Sequence, residues 1–461
     1  MAPNEILVWA MFGTFIALLF TGFPIAWVLG GVGVFFAGIG YFADVYLEAG
    51  TGINYGALGM IANRLFKLMD NWIMVAIPMF MFMGLMLDES GIAERMMMSM
   101  QKLFGRVRGG LAITVVLIGT ILAASTGIIG ASVTLLGLLS IPAMLHQGYN
   151  KPLAAGVVAA SGTLGILIPP SVMLVVLADQ LSLSVGDLFM GAVLPGLLLS
   201  GLYITYILLL GVVRPDQLPL SADRPPMSWR MIWEVVVSTL PTVALIIAVL
   251  GSIFAGLATP TEASGIGALG AILLAWHNRR LSLGVVRKCA QGTMKMMGFV
   301  FGIFLGASLF ALVLRLLGGD TVIGNAIQAI PLGPYGILGI AMGIIFILGF
   351  FLDWIEITLI LLPILAPIVT GFKLPIEGYG VVERADLVWF CLLVAVCLQT
   401  SFLTPPVGFA IFFVQGIAPP EIKLSDIYKG VTAFVILQLV GLAAVLLWPK
   451  LVTWLPSLAY R

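Results

Sequence analysis

Long apolar runs dominate the chain, at about 5–42, 72–87, 111–145, 150–180, 188–213, 231–256, 261–277, 292–317, 335–370, 386–417 and 431–455. Stretches such as 235–255 carry no charged residue and no strand-like alternation of apolar and polar positions. Membrane strands alternate apolar and polar residues, so unbroken runs predict helices. A crossing needs about 20 apolar residues. Two runs exceed one crossing and carry central breakers: Pro169-Pro170 in 150–180 and Pro405-Pro406 in 386–417. Runs 111–145 and 335–370 are each expected to be a span followed by a helical hairpin, the first hairpin at 128–145. Stretches 54–71 and 278–291 mix charged with apolar residues and are expected to form interfacial amphipathic arms. Run 5–42 fits one long helix or two.

The breakers repeat. The two proline pairs lie 236 residues apart. Asp187-Leu188-Phe189-Met190-Gly191 is matched by Asp426-Ile427-Tyr428-Lys429-Gly430 at an offset of 239. Pro142 and Pro363 each close a hairpin-like run. Each half therefore reads as span, hairpin, broken helix, span.

Composition fixes the class. Of 461 residues, 61% are hydrophobic and 9% charged, against roughly 25% charged in soluble chains. Such a chain cannot cover its surface with polar groups, which excludes a soluble enzyme, a nucleic-acid binder and a disordered scaffold. The 54 glycines and 25 prolines exceed what a plain bundle needs. Interrupted helices survive in a membrane only when buried or lining a cavity. The first run begins without a basic leader and is expected to be retained as a span. Cys289, Cys391 and Cys397 lie in or beside apolar runs and suggest neither disulfides nor a metal site.

Charge placement orients the halves. Arg95, Lys102, Arg106 and Arg108 cluster in one loop, whereas its counterpart at 315–334 holds only Arg315. Basic loops face the cytoplasm. Counting crossings forward also puts Arg214, Arg224, Arg230, Arg279, Arg280, Arg287 and Lys288 inside. The count closes only if the halves are inverted. Inverted repeats with discontinuous helices mark secondary transporters.

Three constellations could carry chemistry. At 161–171 and 399–408 the proline pairs should free backbone carbonyls beside hydroxyls, which are hard ligands for sodium. The alternative is a proline kink that only serves packing. The hairpin tips offer Ser125-Thr126-Gly127 with Gly130-Ala131-Ser132, and Gly349 with Asp353 and Glu356. Asp353 could hold a cation, accept a proton or cap a helix. In Ala258-Thr259-Pro260-Thr261-Glu262-Ala263, a threonine cap with Glu262 on the positive helix end is the favoured reading. Gly265-Ile266-Gly267-Ala268-Leu269-Gly270 has no preceding strand and is read as close helix packing. No GxxxxGK[ST], HExxH or GxSxG occurs, so the chain is not expected to be an enzyme.

Gly165-Ile166-Leu167-Ile168-Pro169-Pro170-Ser171, Ala258-Thr259-Pro260-Thr261-Glu262-Ala263 and Thr404-Pro405-Pro406-Val407-Gly408 resemble, in this order, the large membrane subunit of TRAP (tripartite ATP-independent periplasmic) transporters. The resemblance covers essentially the whole chain. Phe350-Phe351-Leu352-Asp353-Trp354-Ile355-Glu356 and Gly416-Ile417-Ala418-Pro419-Pro420-Glu421 resemble the subgroup labelled for 2-oxo acids, mannitol or chloroaromatic acids. About four residues precede the first span, so no small subunit is expected to be fused there.

The resemblance implies a multi-pass protein of the bacterial inner membrane, taking up small organic anions by a sodium-driven elevator mechanism. It implies a small four-helix membrane subunit and a periplasmic substrate-binding protein as partners. Na+ is the coupling ion; no other cofactor or metal is expected. Carried onto matching polar positions, the sodium candidates are Ser125, Thr126, Ser132, Gly162, Thr163, Gly165, Asp353, Thr400, Ser401 and Thr404. Ser161, Ser171, Gln399 and Gly408 are the substrate candidates, and Pro169, Pro170, Pro405 and Pro406 break the helices.

The expected fold is an all-α polytopic membrane protein. It has inverted-topology repeats, two re-entrant hairpins, two discontinuous helices, and separate transport and scaffold domains. Expected boundaries are 1–71 (scaffold helix and arm), 72–187 (first transport repeat), 188–291 (scaffold helices and second arm), 292–427 (second transport repeat) and 428–461 (scaffold helix). Rival readings are a stand-alone sodium-coupled dicarboxylate or citrate carrier, and a channel or non-transport assembly subunit.

Overall fold

The computed structural model describes residues 2–48, 50–126, 129–220, 228–372, 374–380, 382, 384–405 and 408–460, without the side chains at 47, 55, 123–126 and 328. Among these residues the chain is all-α, with one isolated bridge between Tyr379 and Val382.

The first run is two helices, α1 (Pro3–Leu19) and α2 (Ile25–Leu47). Gly22 at φ +78° and Pro24, which holds the N-cap of α2, end the first and start the second. The first arm is α3 (Tyr55–Met69), capped by the Asn54 side chain. Then come α4 (Trp72–Glu89) and α5 (Ile92–Phe104). The basic loop near 95–108 is thus largely a helix, which buries Met96, Met97 and Met100 and exposes Arg95.

The run 111–145 is not a span plus a hairpin. It is one hairpin of two arms, α6 (Gly110–Thr126) and α7 (Ile129–His146). Its two ends meet where the Leu111 N–H donates to the Tyr149 hydroxyl at 3.3 Å. Burial pushes that phenol up to about 12, so it stays neutral. The first broken helix follows as α8 (Lys151–Thr163), a 3-10 turn at Leu164–Ile166, and α9 (Val172–Gln180). Next are α10 (Val185–Val213), α11 (Trp229–Phe254) and α12 (Pro260–His277). Thr259 and Glu262 form the expected capping box at α12.

The second arm is not a separate element. Residues 283–291 open α13 (Leu283–Leu316), 34 residues long. No proline interrupts it, and at 1.5 Å per residue it reaches about 50 Å. After α14 (Gly319–Gln328), the second hairpin pairs α15 (Pro334–Leu348) with a bent arm, α16 (Trp354–Ile360) and α17 (Leu362–Gly371). The bend is 56°. Pro363, expected to close this run, instead opens α17. The second broken helix is α18 (Ala385–Ser401) and α19 (Phe409–Ile417), followed by α20 (Leu424–Leu447) and α21 (Lys450–Ala459). Among the described residues seven helices are long and apolar enough to cross a membrane, or eight counting the bent pair.

The chain divides into two compact units, residues 1–74 with 294–375, and residues 75–293 with 376–461. In the first unit, Phe12 and Phe15 stack on Phe310 with ring centroids 6.0 and 5.2 Å away. In the second, α8 lies against α20 at a glycine crossing. A Cβ on Gly430 would strike the Pro152 carbonyl, and one on Gly156 would strike the Gly430 carbonyl. Small residues allow such backbone approach without a hydrophobic driving force between helices. Helices α10 and α20 fall in the same compact unit as the first break. At the repeated Asp…Gly signature the two helix starts differ: Ser184 Oγ caps α10 by accepting from the Asp187 N–H at 3.3 Å, whereas Asp426 Oδ2 accepts from the Lys423 N–H at 3.0 Å. The signature's glycines, Gly191 and Gly430, then sit at close contacts.

Basic ends gather on one face of the second unit. Arg108 donates to the Pro215 carbonyl at 3.1 Å and Arg95 to Asn278 at 2.7 Å. Arg280 pairs with Glu94 at 3.6 Å and Lys288 with Glu89 at 2.6 Å.

Candidate functional site

The first break is built by missing donors. Pro169 and Pro170 have no N–H, so the Gly165 and Ile166 carbonyls lose their helical partners. The chain tightens first, with Leu167 and Ile168 N–H groups both reaching the Leu164 carbonyl at 3.1 and 2.9 Å. The Ser171 hydroxyl then takes over the Ile166 carbonyl at 2.5 Å. The Pro169-Pro170 bond is cis. Every residue from 153 to 178 is buried.

Two helices close on this break through glycines, and a third packs a valine on a glycine of the break. A Cβ on Gly119 of α6 would come 2.7 Å from the Ser161 Cβ, and one on Gly196 of α10 would come 2.5 Å from Ile168. Gly162 itself touches Val133 of α7, next to buried Ser132. The same arm reaches the second break, with Gly130 against Phe413 and Gly137 against Ile417 of α19.

The second break runs from 402 to 408. Gly408 takes φ +56° at the N-cap of α19. The Phe402 carbonyl, which has a proline four residues on, accepts instead from the Ala410 N–H at 3.2 Å. Thr404 is half-buried and Pro405 exposed.

Hydroxyls divide into occupied and open ones. Thr163, Thr400, Ser401 and Thr404 each donate back to a carbonyl of their own helix, at 2.9, 2.9, 3.0 and 2.8 Å. Such bonds bend helices and leave the oxygen lone pairs available. Ser161 Oγ, both Gln399 side-chain atoms and Gln438 Oε1 are buried with no hydrogen-bond partner among the described residues. A buried amide left open on both atoms costs several kcal/mol at the order of magnitude. Natural membrane proteins keep such groups mainly at functional positions.

The sequence candidates fall as follows. Ser132, Ser161, Gly162, Thr163, Gly165, Ser171, Gln399, Thr400, Ser401, Thr404 and Gly408 all belong to the second unit. Pro169, Pro170 and Pro405 stand at the breaks there. The Ser125 and Thr126 side chains, and Pro406, lie outside the described residues. Asp353 belongs to the first unit. It is the N-cap of α16 and accepts from the Trp354 N–H at 2.8 Å. In that unit Glu356 Oε2 and Thr358 Oγ1 are also buried without a partner among the described residues.

Sequence reasoning passed over Gln438 and Tyr203. Gln438 is fully buried on α20 and donates to the Tyr203 hydroxyl at 2.7 Å and to Thr163 at 3.5 Å. The available signal was a lone amide inside an apolar run.

Helices interrupted within a buried bundle, with polar atoms open at the interruptions, define a class: solute permeases with discontinuous membrane helices. The chain belongs to the family described as tripartite ATP-independent periplasmic transporter, DctM component, which matches residues 12–451. It is 30% identical to the isethionate TRAP transporter permease protein DctMQ of Oleidesulfovibrio alaskensis, across 97% of this chain. The match spans 65% of that relative's length. It is also 30% identical to the C4-dicarboxylate TRAP transporter large permease protein DctM of Pseudomonas aeruginosa, over 86% of this chain and 89% of that one. The ectoine TRAP transporter large permease protein TeaC of Halomonas elongata is 26% identical over 98% and 99%. These relatives are permease subunits, not enzymes. In fold, the chain is similar to the YdaH transporter of Alcanivorax borkumensis, with a TM-score of 0.55 at 15% identity over 84% of this chain and 89% of that one.

Proposed function

We propose that this chain is the large permease subunit through which small organic anions, carboxylates such as 2-oxo acids, enter a bacterium across its inner membrane. A periplasmic binding protein delivers the solute, and a small four-helix membrane subunit completes the permease. Sodium is the coupling ion. The observation that carries the reading is the set of open polar atoms at the two breaks, Ser161 Oγ and both ends of Gln399. They are buried hydrogen-bonding groups without a partner among the described residues, as a solute or ion site would need.

Sodium is assigned to the oxygen-rich positions of the breaks and the first hairpin: Ser125, Thr126, Ser132, Gly162, Thr163, Gly165, Thr400, Ser401 and Thr404. Asp353 is the candidate from the second hairpin. Ser161, Ser171, Gln399 and Gly408 are assigned to the solute. Sodium binding would neutralise local carbonyl dipoles and admit an anion, and an unloaded site would resist crossing. The hairpins and broken helices are assigned to the moving domain, in elevator fashion, with 188–213 and 431–455 among the scaffold segments. The anion class is supported by the isethionate and C4-dicarboxylate names of the relatives.

The test is uptake into proteoliposomes holding both membrane subunits, with a labelled 2-oxo acid and the binding protein outside. Uptake is expected only with binding protein and an inward sodium gradient. Uptake by the chain alone would instead make it a stand-alone carrier. Uptake unchanged after collapse of the gradient would make it a channel.

A further inference from the structure

A cleft of about 310 Å3 opens on the second unit between the start of α5, the first turns of α11 and the end of α12. Its polar end is formed by Arg95, Asn278, His277 and Ser238. One Arg95 nitrogen is spent on Asn278 at 2.7 Å, which fixes the guanidinium plane. A guanidinium has five N–H donors, so four remain. Ser238 is held by Ser99 at 2.7 Å. Glu234 also lines the cleft. Its carboxylate is answered on its own helix by Arg230 at 3.4 Å and does not cancel Arg95.

The rest of the lining includes apolar Ile92, Val237, Pro241 and Leu274. It runs on into an exposed apolar strip along α11 and α12, where Leu240, Ile247, Leu269 and Leu273 face outward. Helix α11 is the least buried of the seven long apolar helices among the described residues. Trp229, Trp233 and Trp276 stand exposed beside the cleft mouth. Tryptophan at this level marks the membrane–water boundary. The pairs Arg280–Glu94 and Lys288–Glu89 tie the end of α12 and the start of α13 to α4 and α5 beside the cleft, and basic residues of these loops assign this side to the cytoplasm. Cytoplasmic leaflets carry anionic lipid, and basic pockets between helices bind their headgroups.

We propose that this cleft is a binding site for the phosphate of an anionic phospholipid. The phosphate sits on Arg95 and His277, and the acyl chains lie along Val237, Leu274 and the strip beyond. A free phosphate would use the polar end and leave the apolar lining bare; that lining is the reason for choosing the lipid.

The probe is phosphatidylglycerol, added to the purified permease with its small subunit and read by native mass spectrometry. Removing one basic contact near a membrane surface weakens retention about fivefold. Arg95→Gln is expected to lose bound lipid by about that factor, and Arg95→Lys to keep most of it. Val237→Trp, which fills the apolar lining and touches no charge, is expected to displace lipid as well. Its readout is independent of whether Arg95→Gln folds. Unchanged retention in Arg95→Gln or Val237→Trp overturns the proposal. Displacement of the lipid by millimolar inorganic phosphate overturns it in favour of a soluble anion. Loss of the small subunit from either variant with lipid retained would make the surface a protein interface instead.

Discussion

The interruption between α8 and α9 is sealed, whereas the one between α18 and α19 opens at its proline. Both use the same proline pair. At the first, everything from 153 to 178 is buried and the Ser171 hydroxyl closes the gap left at Ile166. At the second, Pro405 reaches the surface, Thr404 is half-exposed, and Gly408 supplies a left-handed turn. The sealed break is held by neighbours that have given up their side chains to approach it. The open break keeps freedom on one side. The same proline pair can therefore be sealed in one place and reach the surface in another. The difference lies in what packs around each pair.

Five substitutions test this contrast. Gly430→Val, at the crossing that holds the sealed break, is expected to have the largest effect. Its side chain meets backbone rather than a flexible tip, and overpacking of this kind costs about 3 kcal/mol or more. A sharp fall in the thermal midpoint in detergent is expected; a wild-type midpoint would mean that α8 and α20 are less tightly joined than the geometry implies.

Pro169→Ala comes next. It returns one N–H to the sealed break and lets the helix continue toward Ser171. Sodium-dependent uptake is expected to fall about tenfold, equivalent to roughly 1.4 kcal/mol in the barrier, with folding intact. Thr404→Val at the open break should act in the same direction but less strongly. If both variants keep wild-type rate and sodium dependence, the breaks are not the site.

Gln399→Leu separates function from stability. Replacing an amide that lacks partners with an apolar group of similar volume should raise stability by about 1 kcal/mol while uptake is lost. A fall in stability would mean that the amide is satisfied in the folded protein. Ser171→Ala is the mildest. It removes one hydroxyl-to-carbonyl bond, worth about 1 kcal/mol, and should lower the thermal midpoint slightly.

The elements legible in sequence were those announced by punctuation. Proline pairs located both breaks, and Thr259 with Glu262 announced the start of α12. The division of 5–42 into two helices was not decided, although Gly22 and Pro24 carried the signal. Where punctuation is absent, apolar pattern alone misleads. Nothing between Leu283 and Leu316 marks where an amphipathic stretch passes into a span, so one helix was read as an arm and a span. The hairpin at 110–146 was misdivided because its turn carries glycine but no proline. Of the candidate site, the break residues were found from their own motifs. Gln438 and Tyr203 were missed because their role arises from helices far apart in sequence, meeting beside Thr163. Close approach at Gly156 and Gly430 is likewise invisible until the partner helix is known.

Gln438 has a consequence for how α20 can behave. A helix with an apolar surface can rotate about its axis in lipid at little cost. This one carries an amide donating to Tyr203 at 2.7 Å in the middle of the bundle. A turn of one residue, about 100°, would strand both partners where no water can answer them. The helix is keyed like a shaft in its collar. It cannot spin without losing that bond. Inserting one alanine between residues 433 and 434 would shift the key out of its slot while leaving the apolar length almost unchanged.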